Sequence, residues 1–163
     1  MSLPLLAAGE FARVIPVLEQ ALLAPSEWIG NHILYAALAD TAAQQRDEAA
    51  LRKYAPLAEA LGQAYNHRLY QGIAHRAWGV AHRLAGEYAQ AAARLSQALE
   101  LFDGLNTRWQ LGRTWVERGE LAAVEKEPLK ARDCFHRALM LFEAMRALPD
   151  ANRVRSALEA LGP

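Results

Sequence analysis

Few side chains in this chain could make or break bonds, and their spacing points to packing. Five histidines, His32, His67, His75, His82 and His136, raise the question of a metal centre. A zinc site on one helix favours two histidines four residues apart plus a third ligand. His75 and His82 stand seven apart, two turns of helix, too far to share one ion on a straight helix. No metal site and no cofactor are therefore expected. Cys134 is the single cysteine, so no internal disulfide can form and a reducing cytoplasm is the natural compartment. It precedes Phe135 in a helical pattern, with no histidine arranged as a base for it, and is expected to be a buried, inert thiol. Glu117, Glu120, Glu125 and Glu127 are expected to be solvated charges on and after a helix. No acid, base and nucleophile converge, so the expectation is a protein without an enzymatic reaction.

The elements that must position these residues recur every forty residues. Residues 66–102 align without a gap on 106–142: Asn66 with Asn106, Gly72 with Gly112, Gly79 with Gly119, Ala91 with Ala131, and Phe102 with Phe142. The shared small and apolar residues fall at helical spacings. A unit of this kind is a helix pair that cannot bury its apolar face alone and must stack on a copy of itself. No segment keeps an alternating strand pattern, so an all-α fold is predicted.

Five segments follow: a partial repeat over 1–25, repeats over 26–62, 63–104 and 105–147, and a capping helix over 148–163. Residues 5–9 read as the end of a helix whose start is missing, which suggests a fragment of a longer protein. Pro25-Ser26 reads as a stop followed by a new helix start. Pro16 and Pro56 fall inside predicted helices, where each should kink or delay the helix. Gly62 is expected at the left-handed position after a helix end. The third and fourth pairs are expected to begin at Tyr65 and Asn106, with turns at Gly86-Glu87 and Lys126-Glu127. Val154, Leu158 and Leu161 should line the apolar side of the last helix, with Arg153, Arg155 and Glu159 outside. If the first repeat lacks its first helix, Val14, Leu18 and Leu22 lose their cover, and a homodimer through that stripe follows.

These residues resemble tetratricopeptide (TPR) repeats. That pattern keeps large residues at positions 4, 11 and 24 and small ones at 8, 20 and 27. The unit from Gly112 gives Trp115, Gly119, Ala122, Ala131, Phe135 and Ala138; the unit from Gly72 gives His75, Gly79, His82, Ala91, Leu95 and Ala98. The unit from His32 is weaker, with Tyr35, Ala39, Ala42, Leu51, Ala55 and Ala58. The forty-residue period exceeds the usual 34. It is similar to the TPR arms of MalT-like and other LuxR-type bacterial signalling ATPases, and of ATPase modules joined to nucleotide cyclase domains. The resemblance implies a right-handed αα-superhelix of about three and a half pairs plus a cap. It also implies a non-catalytic adaptor or sensor arm in signal transduction or transcription regulation. No phosphate loop and no basic helix-turn-helix is present in the chain itself.

The resemblance further implies that first helices line a concave groove. Ile73, Arg76, Val80, Arg83, Arg113 and Val116 would point into it. Trp109 is read both ways: its register faces the groove, while aromatics usually bury. Arginine forks among apolar residues suit an acidic or C-terminal peptide segment. Eighteen basic and eighteen acidic residues cancel, which argues against a nucleic-acid partner. No apolar run approaches the roughly 20 residues that span a bilayer, so no membrane partner is expected. The alternative is an arm that senses a small effector, which would need an enclosed pocket between first helices.

Overall fold

The computed structural model describes residues 11–23 and 30–162. The expectations for residues 5–9 and for Pro25-Ser26 lie outside these residues. The described residues form eight helices and no strand: α1 (Phe11–Leu23), α2 (Asn31–Gln45), α3 (Glu48–Ala64), α4 (Arg68–Leu84), α5 (Tyr88–Gly104), α6 (Arg108–Val124), α7 (Pro128–Ala144) and α8 (Leu148–Ala160). Each helix packs against the next in sequence, and α2 also packs against α4. The fold is all-α and built from successive helix pairs.

One turn design recurs every twenty residues. Arg46, Asn66, Gly86, Asn106, Lys126 and Arg146 all have positive φ, between 49° and 78°. After each, the next backbone N–H donates to a carbonyl five residues back: Asp47 to Ala42, His67 to Gly62, Glu87 to His82, Thr107 to Phe102, Glu127 to Ala122, Ala147 to Phe142. The left-handed residue itself donates to the carbonyl three back, as Gly86 does to Arg83. This is the Schellman closure, which satisfies the last carbonyls of one helix and starts the next within three residues. Asp47 adds a side-chain cap, its Oδ1 accepting from the Ala50 N–H at 3.0 Å. The turns explain two shifts from expectation. Tyr65 and Asn106 belong to turns, and the helices begin later, at Arg68 and Arg108. The left-handed residue after α3 is Asn66. Gly62 is inside α3 and buried, and it lets the α4 backbone come close: a methyl there would lie 3.1 Å from the Gln71 nitrogen.

Within each pair, small residues on one helix face large ones on the other. A methyl on Gly72 would sit 2.6 Å from the Phe102 ring, and one on Gly112 would sit 2.8 Å from Phe142. Gly79 meets Leu95 and Gly119 meets Phe135, each at 2.6 Å. Ala91, Ala98, Ala131 and Ala138 are fully buried. The repeated glycines and alanines thus set the closeness of the helices, and the rings fill what remains.

Both α1 and α3 run unbroken through Pro16 and Pro56. Val14 and Leu18 do not form an uncovered stripe: both are buried, in one cluster with Leu34, Leu38, Leu51 and Tyr54. Leu22, the third residue of that expected stripe, is half-buried against the same cluster. At the other end, α8 buries Ala151 and Val154 and rests Leu158 and Leu161 on the Phe135–Phe142 cluster. Arg153, Arg155 and Glu159 are exposed on its far side.

Candidate functional site

The seven candidate groove residues lie on α4 and α6, and the arginines among them meet acids of α2 and α6, so the space between these helices is largely closed. Ile73 and Val80 are buried, Val116 is half-buried, and Arg76 is only 1% exposed. Arg76 donates to Asp40 Oδ1 at 2.7 Å and Arg113 to Asp40 Oδ2 at 2.7 Å. Arg76 also reaches the Gln110 carbonyl and the Thr114 hydroxyl. Arg83 pairs with Glu117 at 3.1 Å and Glu120 at 2.7 Å. Arg46, from the left-handed turn after α2, pairs with the same two carboxylates at 2.8 and 2.6 Å. Each of these four guanidiniums is therefore held by a carboxylate of the chain itself. The sequence reading placed Arg76, Arg83 and Arg113 as open receptors for a partner's carboxylate; here they serve the fold.

Glu117 and Glu120 correct a second expectation. Glu117 is buried and Glu120 is two-thirds covered, so neither is a solvated surface charge. The pairing of Asp40 and Glu120 with arginines one and two repeats away was not legible in the sequence, because it depends on how closely α2, α4 and α6 approach.

Burial works to raise the Asp40 carboxyl, but Arg113 and Arg76 outweigh it and hold the group below the usual carboxylate range. Glu120 goes the other way. Burial, then its neighbour Glu117, push it up against Arg46 and Arg83. The face has one strongly ionised anchor and one carboxylate closer to taking a proton.

Trp109 stands apart. It is 43% exposed, its Nε1–H donates to Asp150 Oδ2 at 3.2 Å, and the Arg113 guanidinium lies 4.6 Å from its ring centroid. It seals the rim between α6 and α8 and does not enter the core.

The other face holds a groove of about 700 Å³ between α5, α6 and α7. Leu99, Leu111, Trp115 and Leu141 contribute to its lining, with Met140 at the edge and 71% exposed. Glu100 and Asp103 border it on α5, and Arg118 and Arg137 border it from α6 and α7. Sequence reasoning missed this groove. Trp115, a large residue of the repeat pattern, packs half-buried with the Arg137 guanidinium 4.9 Å from its ring centroid.

The histidines are dispersed. His75 lies near Arg94 and Glu59, and burial followed by Arg94 lowers it from its ordinary value. His82 bonds to Glu87 and stacks on Trp78. His32 and His67 share an aromatic cluster with Tyr65 and Tyr70, their rings 6.2 Å apart. No group of three or more metal-ligating residues gathers among the described residues. Cys134 is buried, and burial pushes its thiol up from its ordinary value. No helix among the described residues is long and apolar enough to cross a membrane.

None of the family models, curated proteins or solved structures compared with the chain matches it.

Proposed function

We propose that the chain is a non-catalytic protein- or peptide-interaction module, a TPR-like right-handed superhelix. We assign it as the adaptor or sensor arm of a bacterial signalling or transcription-regulating protein. The observation that carries this reading is the stack of forty-residue helix pairs, closed by one recurrent turn, with an open groove running across three helices. Such stacks hold contact surfaces at fixed spacing along their length. An open groove suits a peptide segment better than an enclosed small effector.

The test is a pull-down with the purified array, followed by truncation of each captured protein and calorimetry on the shortest retained segment. Saturable one-to-one binding of a defined segment is expected. Captured proteins that show no saturable affinity once purified would remove the reading.

A further inference from the structure

We propose that the α5–α6–α7 groove receives a peptide segment carrying a large apolar or aromatic side chain next to a lysine or arginine. This rests on the interaction-module reading above. The argument comes from the chain's own internal copy of the groove. At the preceding junction, between α3, α4 and α5, the corresponding positions are tied to one another. Trp78 donates its indole N–H to Glu59 Oε2 at 2.8 Å, Arg94 bonds Glu59 Oε1 at 2.6 Å, and the Arg94 guanidinium lies 5.8 Å from the Trp78 ring centroid. Forty residues later each of these is replaced: Trp78 by Arg118, Glu59 by Leu99, Arg94 by Cys134. Arg118 turns to the Ala92 carbonyl at 3.1 Å, and Cys134 is buried. The tie between Trp78, Glu59 and Arg94 has no counterpart at the second junction, where the one indole, Trp115, lies under Arg137 in the wall of the open volume. What fits is what the first junction supplies for itself, a flat or bulky apolar group beside a guanidinium or ammonium.

Charge selects the second half of the occupant. Glu100 and Asp103 are exposed on the α5 rim and have no ion-pair partner among the described residues. On the α7 side Arg137 is already engaged by Asp133 at 2.9 Å. Arg118 on α6 reaches only a backbone carbonyl, so the unpaired charges bordering the groove among the described residues are Glu100, Asp103 and Arg118. The balance is negative and lies along α5, which favours a cation on the partner there and disfavours an acidic segment.

The probe is a random peptide library displayed on phage and selected on the whole immobilised array. Affinities of the selected peptides are then read by fluorescence polarisation. Selected peptides should pair a large apolar residue with lysine or arginine. Met140→Gln should weaken them by roughly three- to fivefold, the scale of a contact at the margin of an interface. The double variant Glu100→Lys, Asp103→Lys should shift selection toward acidic peptides. All three positions are exposed, so circular dichroism should be unchanged. Peptides rich in acidic residues on the parent array, or peptides indifferent to both variants, would overturn this groove while leaving an interaction module intact. A library that yields no binder would overturn both.

Discussion

Asp40 and Arg113 meet at 2.7 Å although 73 residues separate them. Asp40 lies on α2 and Arg113 on α6, so the contact passes over an entire helix pair. On the way the same carboxylate takes a second guanidinium, Arg76 of α4, also at 2.7 Å. One acid therefore binds three first helices together. Arg46 does the reciprocal work from the other side, reaching Glu117 across 71 residues. These ties fill the space between α2, α4 and α6 with the chain's own charges.

Removing Asp40 should be costly for that reason. Breaking one side of a buried ion pair strands an uncompensated charge, at about 3–5 kcal/mol. Asp40→Asn leaves two buried arginines, Arg76 and Arg113, without their counter-charge. The urea midpoint should drop accordingly. The control is Arg52→Ala, whose partner Glu48 lies one turn away on an exposed surface. Such pairs contribute about 0.3–0.5 kcal/mol. Equal losses at both sites would show that the inner network does not organise the stack.

Acid should act through the same residue. Asp40 is held below its unfolded value, so it stabilises the fold fully above about pH 4–5 and loses that contribution as pH falls lower. Glu120 is raised, so its burden at neutral pH is relieved as pH falls through its folded value, and it acts against Asp40. His75, lowered by burial, adds a loss that begins near pH 6.5. The Asp40 component is isolated by carbon NMR of the side-chain carboxyls. Asp40 should remain ionised at about pH 3, where ordinary aspartates are mostly protonated. A mid-range titration for Asp40 would remove the electrostatic account of the network.

The repeat was legible because it is written in small residues. Gly72, Gly79, Gly112 and Gly119 recur at fixed offsets, and each abuts a ring or a leucine. Helix ends were legible where Gly86 or a charged turn marks them. They were misplaced near Tyr65 and Asn106, because an asparagine can take the left-handed position that Gly62 had been expected to fill. The inner face was the hardest to read. Arg76 has the composition of an exposed binding residue, and only the closeness of α2, α4 and α6 turns it into a buried strut. The outer groove had a faint signal, the replacement of Trp78 by Arg118 between otherwise matching repeats.

The six left-handed turn residues allow a test in which the sign changes with side-chain role. A non-glycine residue in that conformation costs about 1–2 kcal/mol. Lys126, at φ 61°, makes no long-range contact, only local bonds around its turn. Lys126→Gly should therefore raise stability by up to about 1 kcal/mol, less the extra entropy of glycine in the unfolded chain. Arg46, at φ 57°, occupies the equivalent turn two repeats earlier but holds Glu117 and Glu120. Arg46→Gly should lower stability, since the buried Glu117 loses a partner. Thermal melts of the two variants should move in opposite directions. A shared direction would mean that backbone strain, or the ion pairs, had been misjudged.

The glycine contacts give a similar reversal inside helices. Replacing a mid-helix glycine by alanine ordinarily gains about 0.5–1 kcal/mol. At Gly104, the last residue of α5, the new methyl would approach only the mobile end of Arg68, at 3.2 Å, so a gain is expected. At Gly119 it would stand 2.6 Å from the Phe135 ring, which is itself buried and cannot withdraw. Overpacking of that kind costs about 1–3 kcal/mol and outweighs the helical gain. The repeat over 26–62 already contains the compensated version, because Ala39 stands where Gly119 does and Ala55 where Phe135 does. Phe135→Ala alone should lose about 3–5 kcal/mol. Adding Gly119→Ala to it should then cost nothing further and recover part of the loss. A double-mutant cycle in urea should thus show favourable coupling between the two sites. Simple additivity would mean that the Gly119–Phe135 contact does not set the distance between α6 and α7.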